Sequence, residues 1–229
     1  MNISVTRRPP VSLVTAIRMA SAVGSSALFG LLSARILPFD FWSSAFLLAF
    51  LFGFFFVGGT GYRILIAVAL RDPSIHAAAS WSGASAISGV AALAAAAALP
   101  LAGQDAALLF AAYALAINTA YALVKAACFN AGCCGISRRH RHLLAGTDLR
   151  VAEFAATAAV VALAGVLFWF NRFALSAAVG LAGHLAIRLA SRSLRDRMPD
   201  NLSALVRVGQ ELPVLACGLV FVLVLLIPS

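Results

Sequence analysis

Apolar runs, each close to the roughly 20 residues that a helix needs to cross a bilayer, constrain this chain more than any motif in it. The first continues to about Ile36. The next runs from Phe41 through Val57 to Leu70, and Ile75–Leu99, Ala106–Ala127, Asp148–Phe170, Phe173–Ala190 and a last run from Glu211 or Leu212 to Ile227 follow. Seven spans of that length use about 140 residues, which leaves short connections in a chain of 229 and no room for a soluble domain. Only 11% of the residues are charged, against about a quarter in soluble domains. The expected fold is therefore an all-α polytopic membrane protein with about seven transmembrane helices, one integral membrane domain over residues 1–229.

Local features refine this reading. Met1–Pro10 is a short arm with Arg7-Arg8 and Pro9-Pro10 that looks like the start of a signal peptide. The block behind it is too long for one, contains Arg18 and offers no small-residue cleavage site, so a retained first span is expected. Arg18 either snorkels to the near interface or lines a polar cavity. The second block is about thirty residues long and is interrupted by Gly58-Gly59-Thr60-Gly61, so it needs a tilt, a kink or a broken helix. Arg63 sits inside that block rather than at its edge.

The formal net charge is +9. Because the cations cluster at span ends, the expected partner is an anionic lipid headgroup rather than nucleic acid, for which no motif is present. With seven alternating spans, all basic residues except Arg35 and Arg172 fall on one side. The positive-inside rule puts that side, and the amino terminus, in the cytoplasm. Cys128, Cys133 and Cys134 cluster while Cys217 lies in the last run, which is not a disulfide framework. Adjacent cysteines hold one tetrahedral metal awkwardly and no zinc pattern accompanies them, so buried thiols are expected, with neither metal nor cofactor.

The richest stretch is Lys125–Gly135, KAACFNAGCCG, where the fourth apolar run breaks into glycines and cysteines ahead of the basic run Ser137–His142. Ionisable groups and irregular backbone at membrane depth are expensive unless they line a cavity, which makes this a candidate site. The plainer alternative is a helix end, capped by glycine and anchored by arginine. Asn118 in the same run reads as an interhelical hydrogen-bonding residue. His184 and Arg188 share one helical face at i, i+4.

Three segments, in this order, resemble the bacterial prolipoprotein diacylglyceryl transferase family. Gly58–Ile64, GGTGYRI, is similar to that family's Gly-Gly-x-x-Gly-x-Arg. Cys128-Phe129-Asn130-Ala131-Gly132-Cys133-Cys134 resembles the paralogue form of its central signature. His184-x-x-x-Arg188-Leu189 with Arg195-Asp196 resembles its sixth-span motif. The resemblance covers roughly residues 50 to 215 and implies a seven-span, multi-pass enzyme of the bacterial inner membrane. Such an enzyme moves the diacylglyceryl group of phosphatidylglycerol onto the lipobox cysteine of a lipoprotein precursor. It further implies that Arg63, Lys125 and Arg188, with Asn130 of the signature, hold the lipid headgroup, and that Glu153 orients an arginine or a glycerol hydroxyl. The physical demands fit these residue types: clamping phosphate suits cations, and making a thiolate needs a nearby base.

The sequence also departs from the family pattern. Lys125 replaces the signature arginine and loses its planar fork. Ser82-Gly83-Ala84 stands where the family has His-Gly-Gly, so the base falls to His184 or His76. The family places its amino terminus outside, opposite to the positive-inside expectation. A different class of function therefore stands beside the transferase: a non-catalytic membrane protein that binds anionic lipid or a partner membrane protein.

Overall fold

The computed structural model describes residues 11–36, 89–90, 92–93, 103–131, 144, 147–194 and 211–224. Five helices lie within them: α1 (Val11–Ser33), α2 (Gly103–Ala131), α3 (Leu149–Trp169), α4 (Phe173–Leu194) and α5 (Glu211–Val224), and no strand occurs among the described residues. Three are long and apolar enough to cross a membrane, through Gly103–Asn130, Leu149–Trp169 and Phe173–Ser191. Val23–Ser33 and Leu215–Val224 are shorter apolar stretches. These elements coincide with the first, fourth, fifth, sixth and seventh expected spans. The expected second span, with Gly58–Ile64 and Arg63, lies outside the described residues, as does the expected third, with His76 and Ser82, except for the helical residues 89–90 and 92–93.

Several boundaries run past expectation: α2 begins at Gly103 rather than Ala106 and α4 continues past Ala190 to Leu194, and the end of α2 bears most on the site. The fourth span was expected to end near Ala127, with Lys125–Gly135 as the break, yet α2 continues through Cys128, Phe129 and Asn130 to Ala131. Nothing in Cys-Phe-Asn-Ala opposes helix strongly, and the first poor helix former in the stretch is Gly132. More than half of the motif, Lys125–Ala131, is thus ordinary helix.

α2 is the central helix, in contact with α1, α3 and α4 and lightly with α5. Its alanine-rich sequence is apolar all round, which suits a helix surrounded by others. Every described side chain from Ala106 to Asn118 is buried. Small residues let the neighbours come close, as in other membrane bundles. A Cβ on Gly180 of α4 would lie 2.7 Å from the Cβ of Ala114, and one on Gly183 would lie 2.6 Å from a methyl of Val160 on α3. Phe110, Leu181, Leu215 and Val222 fill the α2–α4–α5 core, with Phe110 and Phe221 rings 5.3 Å apart.

Polarity runs opposite to that of a soluble protein. Ser21, Asn118, Lys125, Glu153, Thr157, Ser176, His184 and Arg188 are buried, while Val23, Leu31, Leu163, Val166, Leu189 and Val220 face outward. That arrangement suits a lipid solvent, where polar groups must find partners inside the bundle. Ser21 donates to Ala120 O at 3.0 Å and Ser176 to Ala164 O at 2.8 Å, both between helices. Ser33 and Thr157 instead bond carbonyls one turn back on their own helices.

Two local devices fix the register of α3. At its start Asp148 is the N-cap, accepting from Arg150 N at 2.8 Å. The Arg150 side chain also donates to Asp148 and reaches back to Cys128 O at 3.2 Å, tying the end of α2 to the start of α3. Its guanidinium lies 5.2 Å from the Phe129 ring centroid. At its end Asn171 takes a left-handed φ of 57°, a conformation asparagine tolerates better than most residues. Arg172 N bonds Leu167 O and Asn171 N bonds Phe168 O, both at 2.9 Å. This is the paired hydrogen-bond pattern of a left-handed helix cap, and it reverses the chain into α4 within three residues. Arg35 at the end of α1 donates to Asn171 Oδ1 at 3.3 Å, so the helix ends that carry Arg35 and Arg172 lie together. Trp169 and Phe170 are exposed at the same end, where interfacial aromatics belong.

Two expectations follow for protein purified in detergent. Gly180→Val should destabilise by about 1–3 kcal/mol through overpacking, because Ala114 has no flexible side chain that could give way. Gly165→Ala, where an added Cβ meets nothing within 4 Å, should be neutral or raise the melting temperature. Separately, Arg150 holds the Asp148 carboxyl below its ordinary value of 3.8 by side-chain hydrogen bonding, against a smaller opposing effect of burial. A depressed carboxylate contributes stability that is complete above the ordinary value and is lost as pH falls through the native one. Asp148→Asn should therefore lower the melting temperature at neutral pH and flatten its fall below about pH 4.

Candidate functional site

The α3–α4 hairpin and the antiparallel packing of α3 on α2 bring three helical faces together at one end of the bundle. Asn118, Tyr121 and Lys125 follow one another along α2 at helical spacing. Glu153 lies one turn into α3, and His184 and Arg188 are one turn apart on α4. The antiparallel turn sets Glu153 level with Arg188, and α4 runs parallel to α2 so that His184 faces Asn118 and Arg188 faces Tyr121.

A directed chain of polar contacts results. Arg188 Nη1 donates to the Tyr121 hydroxyl at 3.3 Å, and that hydroxyl donates to Glu153 Oε1 at 2.7 Å. Lys125 Nζ forms an ion pair with Glu153 Oε2 at 2.9 Å. Both cations also lie near the Tyr121 ring, Lys125 Nζ at 4.7 Å and the Arg188 guanidinium at 5.4 Å from its centroid, a favourable placement against the ring's negative face. Lys125 is 3% exposed, Glu153 3% and Arg188 4%. At such burial each charge depends on its partners.

His184, fully buried, adjoins this chain. Its ring meets Tyr121 edge-on with centroids 5.0 Å apart, and its Nδ1 lies 3.0 Å from Asn118 Oδ1. The Asn118 amide donates to Ala114 O at 2.8 Å on its own helix and to Gly180 O at 3.0 Å on α4. Asn118 is thus the interhelical bridge that its mid-span position suggested, and it also touches the one described histidine.

Four residues expected in the site come together: Lys125, Glu153, His184 and Arg188. Asn130 does not join them. It is exposed near the end of α2 and donates to Ala126 O at 3.0 Å on its own helix. Arg63 lies outside the described residues, as do Cys133 and Cys134. Cys128 is buried beside the site and Cys217 is exposed on α5. Among the described residues no group of His, Cys, Asp and Glu could hold a metal ion. No family model matches this chain, and neither a curated protein nor a solved structure does.

Tyr121 is the residue that sequence reasoning missed. Aromatic residues are common in apolar runs, so it carried no signal alone. The usable signal was its place between Asn118 and Lys125 on one helical face, three residues after one and four before the other.

Among the described residues, the chemistry of this cluster is that of two buried cations and one carboxylate, with a phenol relaying between them and an imidazole alongside. Removing one member of a buried pair leaves its partner uncompensated. Glu153→Gln should destabilise by about 3–5 kcal/mol, measured by chemical or thermal unfolding in detergent. Adding Lys125→Met in that background should recover more than half of the loss, as expected when the penalty comes from the stranded ammonium.

Proposed function

We propose that the chain is a seven-span enzyme of the bacterial inner membrane, akin to the prolipoprotein diacylglyceryl transferases. It takes phosphatidylglycerol as donor and transfers the diacylglyceryl group to the thiol of a lipoprotein precursor or to another acceptor. The single observation that carries this reading is the buried convergence of Lys125, Arg188, Glu153 and Tyr121 beside His184. Buried charge carries a desolvation cost that apolar side chains of similar volume would avoid, so charge kept at membrane depth argues for a ligand or a reaction. The cluster has two basic side chains to one acidic one among the described residues, which suits an anionic headgroup.

In the reaction, a thiol gives its proton to the His184 imidazole and the resulting thiolate attacks the glyceryl carbon that bears the phosphoester oxygen. A C–S bond forms as the C–O bond breaks, and the electron pair leaves with glycerol phosphate. Arg188 and Lys125 stabilise the charge on that departing oxygen, a role in which preorganised donors are worth most. Glu153 keeps Lys125 and the Tyr121 hydroxyl oriented.

One feature favours a second reading, a non-catalytic protein that binds anionic lipid: Lys125 stands where the family signature has arginine, and it is already engaged by Glu153 at 2.9 Å. One assay separates the two, with purified full-length protein, labelled phosphatidylglycerol and a lipobox peptide. The wild type should label the peptide. Arg188→Ala should lower the rate by about 100-fold or more, and Arg188→Lys, which keeps charge without the fork, should fall between. Lipid binding without any labelled product in the wild type would favour the second reading.

A further inference from the structure

We infer that Asn118 is a positioning residue that fixes the His184 ring as its Nδ1–H form and makes Nε2 the one ring atom able to take up and return a proton. Donor and acceptor identity alone fixes the ring form. Backbone carbonyls accept and never donate, so the Asn118 atom facing both Ala114 O and Gly180 O must be the amide nitrogen. Those two contacts use both of its hydrogens. The remaining amide atom, Oδ1, is therefore the one that lies 3.0 Å from His184 Nδ1. A carboxamide oxygen only accepts, so Nδ1 must carry the hydrogen.

Nδ1 then holds its proton in both charge states of the ring, and only Nε2 changes. The two carbonyls come from different helices, one from α2 and one from α4, so the amide cannot rotate without breaking a contact on each. Among the described residues, the ring meets the Tyr121 edge at 5.0 Å and, through that tyrosine, is linked to Arg188, Glu153 and Lys125. The ring is thereby oriented as in hydrolases where a second residue holds Nδ1–H so that Nε2 works on the nucleophile. Here a neutral amide takes the place that a carboxylate occupies there.

The assignment of the ring form stands without any catalytic role. That Nε2 accepts the acceptor thiol's proton rests on the transferase reading proposed above.

Nitrogen-15 NMR of the full chain, labelled at histidine, tests the two parts separately. Replacing His76, His140 and His142 by glutamine leaves His184 as the only source of ring signals, and the difference spectrum against His184→Gln gives the same assignment without that triple change. The expected spectrum has a protonated Nδ1 with an Nε2 lone pair at high pH, and only the Nε2 signal moves on acidification. A dominant Nε2–H form in the wild type would overturn the inference.

Asn118→Leu should release the ring, so that the Nδ1–H form no longer dominates, while Asn118→Asp, which keeps an oxygen facing Nδ1, should retain it. An unchanged ring form in Asn118→Leu would also overturn the inference. In the transfer assay Asn118→Leu should lower kcat by about 10- to 100-fold with little change in KM for the lipid, and Asn118→Asp should restore part of the rate. If the ring form is as expected and the wild type transfers nothing, the positioning by Asn118 stands and the transferase reading falls.

Discussion

A carboxylate one turn inside a largely lipid-facing helix persists only if a cation meets it, and for Glu153 that cation is Lys125, at 2.9 Å from the neighbouring helix. The rest of the arrangement depends on this pair. Because α3 presents Glu153 to α2, its other faces are free to turn Leu163, Val166 and Phe154 outward. Because Lys125 is engaged along the α2 face, Tyr121 one turn earlier can take the second carboxylate oxygen and offer its own oxygen to Arg188. In water such a pair contributes little. Inside a bundle its loss strands a charge, so the pair sets the relative rotation of α2 and α3.

Packing and polarity therefore share the task of specifying the bundle. Lipid tails are as apolar as leucine, so burial of apolar surface gives membrane helices little reason to associate. Close approach does part of the work, at Gly180 against Ala114 and at Gly183 against Val160. Directional contacts do the rest, from Ser21 to Ala120 O, from Ser176 to Ala164 O and from Asn118 to Gly180 O. Contacts of both kinds occur along α4: Ser176, Gly180, His184 and Arg188 lie four residues apart and form its inward stripe. Each serves a different neighbour or a different atom.

That stripe shows what was legible in the sequence and what was not. Run length and composition located five helices to within a few residues, and three of them are long and apolar enough to cross a membrane. The i, i+4 spacing of His184 and Arg188 places both on one face, and the bundle turns that face inward. Lys125 stands out because charge is rare at that depth, whereas the family resemblance, not depth, singles out Glu153. What the sequence could not supply was the rotation of one helix against another, and with it the identity of partners. Tyr121 was one aromatic residue among many until α4 brought Arg188 to its hydroxyl. Asn130 looked like part of the site because it belongs to a motif, yet helix geometry carries it past Lys125 to the end of α2. The motif itself was read as a break because glycine and cysteine dominate its far half, whereas its near half has no reason to leave the helix.

The three-residue reversal at Phe170–Arg172 bears on how this protein can vary. A helix gains 1.5 Å and about 100° per residue. With Asn171 held left-handed by hydrogen bonds to the last turn of α3, the connection has no slack in which an added or deleted residue could be absorbed. One more residue there would carry His184 and Arg188 off the face that meets α2, while leaving every helix intact. The side chains of this turn are open to substitution as long as the backbone conformation survives. Its length is not, so the number of residues between two membrane spans is as much a determinant of the site as the residues that form it.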